Sequence, residues 1–321
     1  MDAFWQGPCI YIDMKTLLIS TLLILSFQAF AGNYSGWGIG SINLPAKIVA
    51  GREITVAVLD TGIDPTHELI KGSLVRFLDY SGTGKNDSHG HGTHVAGIIK
   101  SIFPKVKLVA LKYYNPKYSG KQSLDATVKA LQAAVDMNVD VINYSGGGPE
   151  SSSAELAVLK EAERKGIIIV VAAGNESSNI DNKKNAFYPA AYGLSNIISV
   201  SAHDESLKLI KSSNWGKKLV DLAAPGKRIK SALPYNRAGF LTGTSQATAF
   251  VTGVVAMLKS QFPKLSYTEV KEIITASAKK EVALAYNSNS GGRLDAQAAI
   301  LSAKKRTLNG SIFRELAKVK N

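Results

Sequence analysis

Residues 54–60 of the chain read ITVAVLD, a run of aliphatic and β-branched residues that ends in a carboxylate. The run lacks the apolar–polar alternation of a strand with one wet face, so it predicts a parallel strand that is covered on both faces. Four further runs of the same kind follow. They occupy residues 107–113, 139–145, 167–173 and 197–202.

Helical patterns separate these predicted strands. Residues 123–137 and 151–165 each carry an apolar stripe at helical spacing, and a third stripe runs from Ala247 to Leu258. Ser266 and Glu269 form the capping-box pattern of a fourth helix, which would end near residue 277. The alternation of strands and helices predicts one α/β domain with three layers, in which a mostly parallel central sheet is flanked by helices.

Polar residues follow several of these strands, where a parallel sheet places its functional groups. Asp60 precedes a Thr-Gly turn, and Asn175 ends the run IIIVVAAGN, although either residue could simply stabilise a turn. The sequence SGGG at residues 145–148 could cradle a phosphate. The Lys-Ser/Thr ending of a P-loop is missing, which favours a strand edge that a ligand backbone approaches.

The segment HGHGTHVAG at residues 89–97 holds three of the five histidines: His89, His91 and His94. A zinc site is one interpretation and a catalytic base is another. No cluster of carboxylates or cysteines accompanies the histidines, which disfavours zinc. A structural, hydrogen-bonded role is expected for His94 and a loop position for His89.

Ser245 lies in GTSQATAFVTG, at the first turn of the third predicted helix, where backbone N–H groups lack intrahelical partners. Its hydroxyl could cap the helix, or it could attack a carbonyl whose oxyanion binds those N–H groups. Taken together, Asp60, His91 and Ser245 supply an orienting group, a base and a nucleophile. Asn175 could be a second oxyanion donor.

The motifs AVLDTGID, HGHGTHVAG, AAGNES and GTSQATAFVTG, in this order, resemble those of the subtilisin-like serine proteases, or subtilases. The resemblance covers residues 37–303 and includes INYSGGGP, DLAAPG and GGRLDAQAA. It implies a subtilisin-like fold and a serine endopeptidase that acts through an acyl-enzyme. It further implies that Asp60, His91 and Ser245 are the catalytic triad and that Asn175 is the oxyanion-hole residue.

The resemblance also implies a substrate site. Ser145, Gly146 and Gly147 match the strand with which an extended peptide pairs in this family, which implies broad specificity for protein or peptide substrates. Phe187 stands where the family often has a small residue near the floor of the primary specificity pocket. We hypothesise that its ring shortens this pocket and favours small or medium side chains at P1, the residue before the scissile bond.

The resemblance implies no required cofactor, and we assign no metal ligands from the sequence. The histidine helix is followed almost directly by SIFPKVKLVALKYY, without the asparagine-rich loop that carries the strong calcium site in many subtilisins. That site is therefore not predicted. Weaker calcium sites built from backbone carbonyls stay open.

The segment from Met14 reads MKTLLISTLLILSFQAFAG, in which a lysine, an apolar run and a small-x-small site predict a secretory signal. Its apolar run is shorter than the ~20 residues of a bilayer span, so no stable membrane insertion is expected after signal removal. The predicted divisions are residues 1–31 (upstream residues and signal), 32–303 (peptidase domain) and 304–321 (basic tail). The expected product is a secreted or periplasmic monomer.

The formal net charge is +13, but the lysines and arginines are scattered and become dense only within residues 304–321. Scattered basic residues indicate a solvated surface and disfavour nucleic-acid binding. Two alternatives to an endopeptidase remain: a catalytically silent subtilase-like binding protein, and a protease whose basic tail also binds anionic surfaces. The presence of Asn175 favours an active enzyme, since a binding protein has no need of an oxyanion donor.

Overall fold

The computed structural model describes residues 36–319, so the predicted signal segment lies outside the described residues. The strands are β1 Thr55–Asp60, β2 Leu74–Asp79, β3 Lys107–Lys112, β4 Val141–Tyr144, β5 Ile168–Ala172, β6 Ile197–His203, β7 Leu222–Pro225, β8 Ile229–Leu233, β9 Arg237–Leu241, β10 Lys279–Lys280 and β11 Gly292–Arg293. The helices are α1 Trp37–Ser41, α2 His91–Ile102, α3 Gly120–Asp136, α4 Ser153–Arg164, α5 Thr244–Gln261, α6 Tyr267–Ala276 and α7 Ala296–Val319.

Within residues 36–319, nine strands form one sheet in the order β10-β11-β7-β6-β5-β4-β1-β3-β2. All neighbouring strands in it are parallel except the short β10–β11 pair. The five predicted strands correspond to β1, β3, β4, β5 and β6. The predicted three-layer α/β fold with a mostly parallel sheet is confirmed.

The sheet separates two apolar cores, and β1 contributes alternate side chains to each. Val56 and Val58 belong to the core that contains α2 and α5. Ala57 and Leu59 belong to the core on the other face, beneath α3 and α4. Because both faces are dry, this strand carries the uninterrupted apolar run seen in the sequence.

The four predicted helices correspond to α3, α4, α5 and α6. The capping box predicted at Ser266 and Glu269 is present, and Ser119 with Gln122 forms a second one at the start of α3. Helix α5 is buried on nearly every side along its length. Its buried residues are mostly apolar but include Gln246, Thr248 and Thr252, and the helix packs against β4, β5, β6 and β7 on one face of the sheet.

The β8–β9 hairpin was not predicted from the sequence. Its turn places Tyr235 and Asn236 at φ values of 66° and 54°. Two residues with positive φ are typical of a tight hairpin turn, but the usual sequence signal is Asn-Gly or Asp-Gly, and a tyrosine at the first position conceals it. The hairpin packs on α2, where a Cβ at Gly97 would lie only 2.9 Å from the Cβ of Ala232.

The predicted boundary between the domain and the basic tail falls inside α7, which runs from Ala296 to Val319. Ala303 is fully buried, whereas the side chains of Lys304, Lys305 and Arg306 are exposed. No helix within the described residues has the length and apolar character needed to cross a membrane.

Candidate active site

The candidate site lies at the carboxyl ends of β1, β4 and β5. Strand β1 has β3 on one side and β4 on the other, so the chain leaves it in opposite directions across the sheet. A crevice forms outside the strand ends at such a switch point and is the usual ligand site of an open α/β sheet. Asp60 ends β1, Ser145 follows β4, and Asn175 follows β5.

Asp60 and His91 are directly hydrogen bonded. The Nδ1 atom of His91 lies 2.7 Å from Oδ1 of Asp60, and the same oxygen accepts the backbone N–H of Thr61 at 2.7 Å. Asp60 is 4% exposed. A carboxylate in this position fixes Nδ1 as the protonated nitrogen, which leaves Nε2 available as a base.

A glycine next to the histidine allows this contact. His91 is the first residue of α2, and a Cβ at Gly92 would lie 2.0 Å from the carbonyl oxygen of Gly62 and 3.0 Å from the Cβ of Asp60. Any larger residue would push the start of the helix away from the end of β1. Glycine directly after His91 is therefore a requirement of packing.

Sequence reasoning missed Asp87, a buried residue that holds the histidine loop in place. Its Oδ1 accepts the N–H of Gly90 at 2.8 Å and the hydroxyl of Thr61 at 2.8 Å. Its Oδ2 accepts the N–H of Thr93 at 2.9 Å and the hydroxyl of the same residue at 2.5 Å. A carboxylate just before a helix that begins at His91 is a capping signal, and that signal could have identified Asp87.

The carboxylates around His91 change its basicity. Burial lowers the pKa of His91, but the charge and hydrogen bond of Asp60, together with the charge of Asp87, raise it by more. The net result is a pKa above the ordinary value of 6.5. A histidine that becomes more basic beside carboxylates is suited to accept a proton during a reaction.

Ser245 is the second residue of α5 and is 7% exposed. Its hydroxyl donates to the carbonyl of Ser145 at 2.9 Å, while the Ser145 hydroxyl donates to the carbonyl of Ser245 at 3.1 Å. This reciprocal pair fixes the start of α5 against the end of β4. In this rotamer the Ser245 hydroxyl is directed at the Ser145 carbonyl, and it must turn to reach His91.

Asn175 is oriented by the start of the same helix. Its Oδ1 accepts the N–H of Thr244 at 3.0 Å and the hydroxyl of Thr244 at 3.2 Å. Because the amide oxygen is held in this way, the Nδ2 donor faces away from Thr244. The side chain of Asn175 is exposed, so this donor is accessible to a ligand.

The glycine strand and Phe187 meet beside these groups. A Cβ at Gly147 would lie 2.5 Å from Cε1 of Phe187, and a Cβ at Gly174 would lie 2.9 Å from its Cδ2. The ring therefore lies between the backbone that follows β4 and the backbone that follows β5. Gly148 and Tyr188 join the segments through two backbone hydrogen bonds of 2.7 and 3.0 Å.

The other two histidines of the cluster each have partners of their own, although the ring of His89 also lies edge-on to that of His91, with centroids 6.3 Å apart. His94 Nε2 contacts the carbonyl oxygens of Ile229 at 3.0 Å and Gly239 at 3.2 Å, which is the structural role expected for it. His89 lies in the loop before α2, with its ring edge-on to Tyr114 at 5.2 Å. Among the residues that the structure describes, 36–319, no group of three or more His, Cys, Asp or Glu side chains is placed to hold a metal ion.

Comparison with known proteins gives consistent results. The model of the Subtilase family matches residues 51–297. The "Major intracellular serine protease" of Bacillus subtilis (strain 168) is 36% identical over 242 residues, which cover 70% of this chain and 74% of that protein. Subtilisin E of the same organism is 34% identical over 255 residues, or 75% of this chain and 65% of that protein.

A solved structure is also similar. The crystal structure of a cold-adapted subtilisin-like serine proteinase superposes with a TM-score of 0.68 and 27% sequence identity, covering 82% of this chain and 99% of that one. The fold, the order of the motifs and these matches agree. This chain belongs to the subtilase family of serine proteases.

Proposed function

We propose that the protein is a secreted serine endopeptidase of broad specificity, with Ser245 as nucleophile, His91 as general base and Asp60 as the residue that orients the imidazole. The observations that carry these assignments are the 2.7 Å contact between His91 and Asp60 at the end of β1 and the hydrogen bonds of Ser245 with Ser145 at the end of the neighbouring strand β4. The two groups come from distant parts of the sequence. If Asp60 only stabilised a turn and His91 only began a helix, their side chains would not need to be in contact.

Substrate binding prepares the nucleophile in this scheme. The substrate residues that precede the scissile bond pair in an extended conformation with Ser145–Gly147. A substrate N–H then donates to the Ser145 carbonyl oxygen in place of the Ser245 hydroxyl. The Ser245 hydroxyl, which donates to the Ser145 carbonyl at 2.9 Å in the free protein, is then released to turn toward Nε2 of His91. Binding and activation are thereby coupled.

The chemistry then proceeds in two halves. His91 Nε2 takes the proton from Ser245 Oγ as Oγ attacks the peptide carbonyl carbon, and the oxyanion is held by the Ser245 N–H and by Nδ2 of Asn175. When the C–N bond breaks, the imidazolium gives its proton to the leaving amine. Water repeats the sequence on the acyl-enzyme and releases the acid, which restores Ser245. Each step uses only protein groups and water.

Secretion is the second part of the proposal. The segment that begins at Met14 has the lysine, apolar run and small-x-small site of a signal sequence. One curated relative is named an intracellular protease. Expression of the full chain in a bacterium, followed by fractionation and N-terminal sequencing, should find a product that begins at Gly32 outside the cytoplasm. A full-length cytoplasmic product would refute export.

Activity is tested by labelling purified residues 32–321 with a fluorophosphonate probe, alongside casein digestion. The probe should label wild-type protein and should not label a Ser245→Ala control, and only the wild type should digest casein. A folded wild-type protein that neither labels nor digests casein would contradict the proposal and support the catalytically silent alternative.

A further inference from the structure

Thr61 connects the two members of the Asp60–His91 pair. Its backbone N–H donates to Oδ1 of Asp60 at 2.7 Å, and the same oxygen contacts His91. Its side-chain hydroxyl accepts the backbone N–H of Gly92, the residue that follows His91, at 3.0 Å. Thr61 is 7% exposed. A single buried residue is therefore hydrogen bonded both to the aspartate and to the start of the histidine helix.

Asp87 fixes the direction of the Thr61 hydroxyl. The hydroxyl donates its proton to Oδ1 of Asp87 at 2.8 Å. A hydroxyl has one proton and two acceptor lone pairs, so this donation leaves the oxygen free to accept the N–H of Gly92. The same carboxylate oxygen accepts the N–H of Gly90, the residue before His91, at 2.8 Å. Asp87 therefore holds the backbone on both sides of His91, directly on one side and through Thr61 on the other.

The contacts of Asp87 require a carboxylate. Its Oδ1 accepts the N–H groups of Gly90 and His89 at 2.8 and 3.2 Å, and its Oδ2 accepts the N–H of Thr93 at 2.9 Å. An asparagine side chain has an acceptor on one side only, so its NH₂ group would face a backbone N–H in either orientation. Asp87 is 4% exposed, so water cannot easily replace a lost acceptor.

The charge of Asp87 acts on His91. In the part of the chain that the structure describes, Asp87 belongs to no ion pair, so its charge is not neutralised by a bonded cation. It adds to the charge of Asp60 in raising the pKa of His91. The other titratable groups beside His91 are His89 in the preceding loop and His94 on the same helix. A second carboxylate favours the imidazolium that forms when the histidine takes a proton.

We propose that Asp87 and Thr61 act together as a positioning pair for the reaction, which holds His91 against Asp60 and places a second negative charge beside the imidazole. The inference rests on the proposed protease function. Asp87 and Thr61 are positioning residues, because they act through His91 and Asp60 and carry out no chemical step themselves. Their loss should therefore lower kcat and leave KM almost unchanged.

The first test isolates the geometric role of the pair. Thr61→Val removes the hydroxyl and leaves the N–H of Gly92 without its acceptor, while the charge of Asp87 stays. We expect kcat to fall at least about tenfold and KM to stay within about twofold. The acidic limb of the pH profile should not move. Thr61→Ser keeps the hydroxyl and should keep kcat within about twofold of the wild-type value.

The second test removes the charge. Asp87→Asn should lower kcat at least about tenfold and shift the acidic limb of kcat/KM to lower pH, because the lost carboxylate raises the pKa of His91. The double variant with Thr61→Val should lose less than the product of the two single effects, since both belong to one network. Asp140→Asn is the matched control. Asp140 accepts the N–H of Thr55 at 2.9 Å at the opposite end of β1, so kcat and the pH profile should not change.

An NMR titration of His91 in a Ser245→Ala background gives a readout that needs no turnover. The pKa of His91 should be lower when Asp87→Asn is added, and thermal denaturation verifies that each variant is folded. If the wild type neither labels nor cleaves, the protease function fails, and the titration still decides whether Asp87 acts on His91.

Three results would each overturn the positioning pair in an active enzyme. They are a wild-type kcat in folded Thr61→Val, a loss in Thr61→Ser as large as that in Thr61→Val, and an unchanged pKa of His91 in folded Asp87→Asn. If Asp87→Asn does not fold, the comparison of the two Thr61 variants decides.

Discussion

Replacing Phe187 by glycine should open the primary specificity pocket. The ring lies between two glycines, so close that a Cβ at either Gly147 or Gly174 would come within 3 Å of it. Phe187 is half-buried, and its removal leaves a slot between the backbone that follows β4 and the backbone that follows β5. A large apolar P1 side chain can then occupy the space of the ring.

The size of the effect follows from the area that the new P1 side chain would bury. Fully burying a leucine or phenylalanine side chain is worth about 1.5–3 kcal/mol. At 1.4 kcal/mol per factor of ten, the kcat/KM for a P1 phenylalanine peptide, divided by that for a P1 alanine peptide, should rise about 10- to 150-fold in Phe187→Gly.

The assay is steady-state cleavage of peptides that differ only at P1, with thermal denaturation to verify folding. Phe240→Gly is the control, because Phe240 is 56% exposed and stacks on Arg228 in the hairpin, so its loss should leave the P1 ratio unchanged. If the wild type already prefers aromatic P1 residues, or if Phe187→Gly leaves the ratio unchanged, the ring does not limit the pocket.

Three further outcomes follow from the site and its histidines. The carboxylate of Asp60 outweighs burial and holds the pKa of His91 above 6.5, so kcat/KM should fall as pH drops through a value above 6.5. Asp60→Asn should shift this acidic limb of the pH profile to lower pH and reduce activity by roughly 10⁴-fold, the size known for triad aspartates. An acidic limb that does not shift would contradict the assignment. Asn175→Ala should lower kcat by roughly 10²–10³-fold with little change in KM, the effect known for subtilisin's own oxyanion-hole asparagine, whereas a change confined to KM would indicate a binding role. Burial holds the pKa of both His94 and His203 at about 4, so the unfolded chain binds protons first as pH falls from 6.5, and urea unfolding should show up to about 3 kcal/mol of stability lost per histidine by pH 4. The stability advantage of wild type over His94→Gln should shrink over the same interval, and a constant difference would refute the linkage.

The strands and helices near the site could be predicted because their local patterns agree with the final fold. The run at residues 54–60 carries its own evidence of a strand buried on both faces, and Ser266 with Glu269 marks the start of α6. The hairpin of β8 and β9 could not be predicted in this way. Its half-exposed second strand and its Tyr-Asn turn carry no strong local signal, and its stability comes from packing on α2.

The sequence alone determined the α/β class, the family resemblance and the identity of Asp60, His91, Asn175 and Ser245 as candidates, because each lies in a short motif whose chemistry is local. Tertiary structure alone revealed the relationships among distant residues. It placed Asp87 beneath the histidine loop and set the buried Glu155 carboxylate against the hydroxyls of Tyr144 and Tyr192. Such roles depend on burial and on which groups meet in space, and sequence separation records neither.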